Sequence, residues 1–213
     1  TAINRLKSIR RQNKLYGVRV NLLNGVGEKS WKNGTAGLDS RSKLNFKHIF
    51  QKQRFSADAI NLFATMHYMM NTETEFTRLL NNIDRHLNSK GIVIIICLNG
   101  EKLHQLLKKN KDSYSIKDSE GDVMYEIKSK YDKKPELYGS KIEVYFKGVY
   151  GLDKGIEENI VMTKEVSKIF QKMGFNELLN VEYSKLSKET YKSLLPFEKK
   201  IMDIYKMMVF QKI

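Results

Sequence analysis

The chain has 213 residues, 41% of them hydrophobic and 29% charged, with a formal net charge of +14. That length supports one sizeable core, and the charge favours polyanionic partners, nucleic acid or an anionic membrane surface. Lysine used as surface filler would give the same balance, but eleven Tyr and ten Phe supply stacking faces that turn the reading toward RNA. No apolar run is long enough to span a bilayer, and Arg5, Lys7, Arg10 and Arg11 interrupt any signal-like start. The single cysteine, Cys97, excludes a disulfide framework and argues against a cysteine metal site. A reducing, intracellular setting fits that usage.

In chain order, residues 1–15 read as a basic helix, Val18–Leu23 as a short strand and 24–43 as a loop rich in Gly, Asn, Ser and Lys. Leu44–Phe50 reads as a short helix and Ala57–Phe63 as a strand. Thr72 is an N-cap candidate with Glu75 three residues on, a capping-box spacing. The helix that follows carries Phe76, Leu79, Leu80, Ile83 and Leu87 on one face, and Ser89-Lys90-Gly91 ends it. Ile92–Leu98 is a continuous apolar run, a buried strand. Strand, crossover helix and strand in succession imply a parallel pairing. A short helix is expected over Glu101–Lys108, hairpin and loop over 109–140, a strand over Lys141–Val149, and a helix over Thr163–Met173 closed by Gly174. Glu177–Tyr183 reads as a strand, 196–204 as a helix starting at Pro196, and Tyr205–Lys212 as a final edge strand.

Three stretches carry a resemblance. FSADAINLFATMHYMMNTETEFTRLLNNIDRHLNSKGIVIIICLNGEKL, from Phe55 to Leu103, resembles the central block of mRNA cap guanine-N7 methyltransferases: a strand into Gln-Phe-x-x-His-Tyr, a helix, a glycine turn, a hydrophobic strand and Asp/Asn-Gly-x-x-Leu. DIYKMMVFQK at 203–212 is similar to the family's closing Tyr-x-x-x-x-x-Phe pattern. YFKGVYGLDKGIEENIV at 145–161 looks like the segment that delivers a cap-binding glutamate. The flavour is that of the capping enzymes of large DNA viruses, poxvirus-like and African swine fever virus-like. The resemblance implies an α/β, class I (Rossmann-like) S-adenosylmethionine-dependent methyltransferase fold, a mostly parallel sheet with an antiparallel C-terminal hairpin. It further implies one methyltransferase domain over 1–213, the C-terminal part of a larger polypeptide with triphosphatase and guanylyltransferase domains. The expected substrate is the capped RNA 5′ end. The expected setting is the host cytoplasm at viral factories, with the virion as a second site. No membrane contact is expected, and the isolated domain is expected to be a monomer.

Two departures stand out. Aligned on His67-Tyr68, the family's Gln-Phe becomes Phe63-Ala64, moving the ring by one position. The family's first strand and acidic, glycine-rich turn have no counterpart. Asn24-Gly25-Val26-Gly27 is a lone G-x-G only about thirty residues before the 57–63 strand, too few for the two βα units the fold needs there. It reads as a loop, with Asn24 at the register of the acidic residue that ends the family's third strand. The chain is therefore expected to be N-terminally incomplete.

Guanine N7 has a free lone pair, so methyl transfer to it needs no general base, metal or covalent intermediate. The requirements are in-line positioning and a site that favours the charge developing on the base. The resemblance implies His67, Tyr68, Glu158 and Tyr205 at the cap guanine, and Asn24, Phe63 and Ala64 at S-adenosylmethionine. Glu157 competes with Glu158 for the acceptor role. Arg10 and Arg11, with Lys7 and Lys14, are candidates for the phosphates. Each also has a plain structural reading: a His-Tyr turn, a solvated loop acid, ordinary strand packing, a solvated helix face. His48, His86 and His104 show no ligand spacing and read as surface or structural. Two other functions stay open, a non-catalytic methyltransferase-fold RNA-binding or stimulatory subunit and a methyltransferase acting on a small molecule.

Overall fold

The computed structural model describes residues 27, 29–53, 55–148 and 155–213. The expected helix over 1–15, the strand over 18–23, and Asn24, Arg10 and Arg11 lie outside the described residues. The chain divides into two compact units, one ending at Phe55 and one starting at Ser56.

In the first unit, α1 spans Ser40–Phe46, capped by Asp39, whose Oδ1 accepts the Ser42 amide at 2.8 Å. The helix thus begins four residues before the expected start at Leu44, because an Asp-Ser-x-Ser sequence supplies an N-cap. It runs on into a π-helical turn, Lys47–Lys52. Phe50 gathers the rings of Trp31, Phe46 and Phe55 at centroid distances of 5.3, 5.7 and 5.8 Å.

The second unit holds two four-stranded sheets. The first sheet uses β1 (Ala57–Phe63), β2 (Leu87–Leu98), β7 (Phe175–Glu182) and β8 (Tyr205–Lys212), in the order β1-β2-β8-β7. It is mixed: β1 and β2 are parallel, while β8 is antiparallel to both β2 and β7. The crossover between β1 and β2 is α2 (Glu73–His86), where Thr72 Oγ1 accepts the Glu75 amide at 3.2 Å. Phe76, Leu79, Leu80 and Ile83 are buried, as the 3.6-residue spacing requires. The strand expected to start at Ile92 starts at Leu87, directly after the helix, because a bulge near Ala57–Ala59 and Lys90 at φ +63 absorb the change of direction.

The expectation of a final edge strand is corrected. Tyr205–Lys212 is hydrogen-bonded on both sides, and none of its residues is exposed. Met208 and Phe210 on one face are fully buried, and the residues on the other face are partly buried, so the alternation is weak. Phe210 stacks on Phe170 of α4 (Thr163–Lys172) at 4.5 Å between centroids.

The second sheet is an antiparallel meander of β3 (Ser113–Lys117), β4 (Val123–Ser129), β5 (Lys141–Phe146) and β6 (Ile156–Asn159). It packs with α3 (Gly100–Lys109) around Leu103, Leu107, Ile116, Tyr125, Ile127, Ile142 and Val144. Asn99 caps α3, and the glycine beside it is required sterically: a Cβ on Gly100 would lie 2.2 Å from the Val161 carbonyl oxygen. Between β7 and β8 the sequence reading left 184–195 unassigned. A 3-10 turn (Tyr183–Lys185) and α5 (Lys188–Ser193) occupy this stretch, and α6 (Pro196–Met202) follows where the helix from Pro196 is expected. α5 buries none of its residues, so the periodic apolar signal is missing there.

Candidate active site

A cavity of about 550 Å³ opens at the carboxyl ends of β1 and β2, beside the start of β8, where open α/β sheets bind ligands. That volume suits a nucleotide-sized ligand. β1 contributes Phe63, and the chain then turns sharply. Ala64 adopts φ +47, a left-handed conformation rare outside glycine, and its amide donates to the Ile96 carbonyl at 2.8 Å. The turn feeds a 3-10 segment, Met66–Met69, that presents His67 and Tyr68 to the cavity.

His67 is 9% exposed, and its ring centroid lies 4.0 Å from that of Tyr68. Burial pushes its imidazole pKa down to about 4, so the ring is neutral at pH 7. Its Nδ1 lies 3.7 Å from Glu158 Oε2. That separation exceeds a hydrogen bond, and with a neutral ring it is no ion pair. The His67 Nε2 is buried without a hydrogen-bond partner.

Glu158 is not a loop acid. It sits on β6, paired with Ile142, and is 6% exposed. Glu157, one residue earlier, is exposed and does not line the cavity; alternate strand residues face opposite ways. Asn159 on the same strand donates from Nδ2 to the His67 carbonyl at 2.7 Å, tying β6 to the His-Tyr turn. Tyr205, first residue of β8 and opposite Leu98, completes this wall. Its phenol pKa is raised, first by burial and then by nearby Glu158 and Cys97, while a hydrogen bond with Tyr125 opposes the shift. It stays protonated.

Six sequence candidates from three separate stretches thus meet at one cavity: Phe63, Ala64, His67, Tyr68, Glu158 and Tyr205. Phe63 and Tyr68 are large, about half exposed, and turned to the open side. Asn24, Arg10 and Arg11 lie outside the described residues. The sequence reading missed Phe146, Tyr183, Phe197 and Glu198, which also line the cavity. Phe146 was legible only as the end of a strand. Tyr183 ends an expected strand, and Phe197 and Glu198 lie in the helix expected from Pro196, with no motif to mark them as lining a site. Among the described residues no group of His, Cys, Asp and Glu could hold a metal. The thiol of Cys97, on the cavity wall, is pushed up to about 12 by burial and is unreactive.

Residues 28–212 match the mRNA (guanine-N(7))-methyltransferase domain family. The match spans most of the chain, which therefore belongs to this family of S-adenosylmethionine-dependent enzymes. A probable mRNA-capping enzyme of Acanthamoeba polyphaga mimivirus is 27% identical over 140 residues, covering 64% of this chain and 12% of that protein. The chain thus spans only a small part of that relative's length. An S-adenosylmethionine-dependent methyltransferase from Clostridium acetobutylicum is 12% identical, with TM-score 0.45, over 83% of this chain and 73% of the other. A Pyrococcus horikoshii protein is 13% identical, with TM-score 0.43, over 96% and 65%. Likenesses of that strength carry no part of the assignment.

Proposed function

We propose that this chain carries cap guanine-N7 methyl transfer, with guanine held in the cavity by Glu158, His67, Tyr68 and Tyr205. The observation that supports this most is the buried Glu158 carboxylate, on the wall shared by His67 and Tyr205, in a cavity lined mainly by apolar and aromatic side chains with Glu198 as its other carboxylate. A carboxylate accepts from guanine N1–H and N2–H₂ at once, and buried charged hydrogen bonds discriminate strongly against bases lacking those donors. The exposed faces of Phe63 and Tyr68 offer stacking surfaces.

When bound, S-adenosylmethionine would supply an electrophilic methyl group for guanine N7 and leave the positive charge on the guanine ring. The chain's residues have three tasks in that step. They hold the base in one orientation. They exclude water through Ile96, Leu98, Ile201 and Met202. They place negative charge near the ring as it becomes cationic. No lining residue has to move a proton, because the guanine N7 lone pair is free and the neutral His67 is not required as a base. The fit of the described residues to the cofactor lies at Phe63 and Ala64, where the left-handed turn exposes a ring beside an open cavity. The similarity to a probable mRNA-capping enzyme supports a capping context; triphosphatase and guanylyltransferase domains in one polypeptide and a host-cytoplasmic setting are further parts of this proposal.

The test is methyl transfer to GpppRNA by Glu158→Gln, with Glu157→Gln as control. The amide keeps the shape but removes the charge and one acceptor. A charged hydrogen bond is worth about 1.5–3 kcal/mol, or about tenfold to a hundredfold in rate. Glu157→Gln is expected to act like the unmodified chain. Full activity in Glu158→Gln would end the assignment.

A further inference from the structure

The chain carries 38 lysines and arginines, yet among the described residues none lines the cavity. The charged lining groups are two carboxylates, Glu158 on β6 and Glu198 on α6. Glu198 uses one oxygen, Oε2, to accept the Leu195 amide at 2.8 Å. The neighbouring His67 is nine-tenths buried and has an unpartnered Nε2. Six aromatic rings share the wall, those of Phe63, Tyr68, Phe146, Tyr183, Phe197 and Tyr205. A cavity walled by carboxylates and π-faces in a basic protein repels anions and attracts a flat cation.

We infer that this cavity retains the methylated product, binding the N7-methylguanosine cation in preference to uncharged guanosine, with Glu198 as a second charge-recognising carboxylate. The inference rests on the guanine reading of the cavity. Methylation leaves the shape of the base nearly unchanged and adds one delocalised positive charge. The N1–H and N2–H₂ donors that select guanine are present in both forms, so the N7 methyl group and the charge that comes with it separate them. Aromatic faces and desolvated carboxylates both gain from it. The domain then acts as a cap-binding module after acting as an enzyme, and release of the methylated end becomes a slow step in its cycle.

The experiment is titration calorimetry of the chain with two ligand pairs: N7-methylguanosine against guanosine, and m7GpppG against GpppG. The nucleoside pair removes phosphates, so surface lysines drop out of the comparison. The expected result is methylated ligand bound about tenfold tighter or more in both pairs. Glu198→Gln keeps a side-chain oxygen to accept the Leu195 amide and removes only the charge. It is expected to lower the methylated-to-unmethylated ratio about threefold or more, with an unchanged thermal melt. Equal affinities in the unmodified chain, or preference for guanosine, overturn the inference while leaving the guanine site standing. Binding of neither form overturns both. A preference that survives Glu198→Gln intact removes Glu198 from it.

Discussion

His67 connects the site to stability, and the connection can be measured. Its pKa falls from an ordinary 6.5 to about 4 in the folded chain because burial penalises the imidazolium. The unfolded chain therefore takes up a proton at a pH where the folded chain does not. Above 6.5 both states are neutral and the linkage vanishes. As pH falls from 6.5 toward 4, the unfolded state is progressively favoured, and below 4 the full cost is reached. Integrated between pH 7 and pH 5, that shift amounts to about 2 kcal/mol of lost stability. The assay is urea unfolding of the unmodified chain and of His67→Gln at both pH values. Gln replaces the ring with a group that does not titrate. The stability gap between the two proteins is expected to move by about 2 kcal/mol toward the variant at pH 5. Because Glu158 lies 3.7 Å from the ring, the pair should also be measured in a Glu158→Gln background. Parallel pH curves for His67 and Gln would refute the reasoning, since the ring would then titrate alike in both states.

Three further outcomes are expected. Ala64→Val should lose about 1–2 kcal/mol in chemical denaturation, because a β-branched residue is forced into φ +47; Ala64→Gly should be as stable as the unmodified chain or gain up to about 1 kcal/mol. Gly100→Ala should cost about 1–3 kcal/mol, since its Cβ would meet the Val161 carbonyl at 2.2 Å; a melting temperature equal to that of the unmodified chain would mean the backbone yields freely there. RNA binding should weaken linearly on a log–log salt plot, as phosphate contacts release counterions, and a flat plot would reduce the +14 charge to surface filler.

Much of the fold was legible because its elements are locally specified. Thr72 caps α2, the apolar face at Phe76, Leu79, Leu80 and Ile83 fixes its orientation, and the run at 92–98 is too apolar for anything but a buried strand. The parallel pairing of β1 and β2 follows from the intervening helix. What was not legible is decided by partners distant in sequence. Nothing within Tyr205–Lys212 says that it lies between β2 and β7, because both sets of hydrogen-bonding partners are elsewhere in the chain. The short helix at 188–193 was missed for a related reason. It is held by contacts such as the Tyr191 hydroxyl on the Asp203 carboxylate at 3.1 Å, which leave no periodic apolar trace.

The site shows the same division, and it explains why an alternating strand mattered more than a motif. His67-Tyr68 could be placed past a strand end from sequence, but the choice between Glu157 and Glu158 could not be made, because two adjacent glutamates have identical chemistry. Strand pleating separates them. On β6, Ile142 opposes Glu158 and Glu143 opposes Glu157, so one carboxylate enters the cavity lining and the other meets solvent. The displaced ring at Phe63 is resolved by geometry of the same kind. Because Ala64 turns left-handed immediately after it, the chain direction changes between the ring and His67. Phe63 thereby joins His67 and Tyr68 at one opening, although its sequence position differs by one from the family's. A spacing rule counts residues along a regular path; a left-handed residue breaks that path, so the substitution to Phe-Ala and the turn at Ala64 have to be read together.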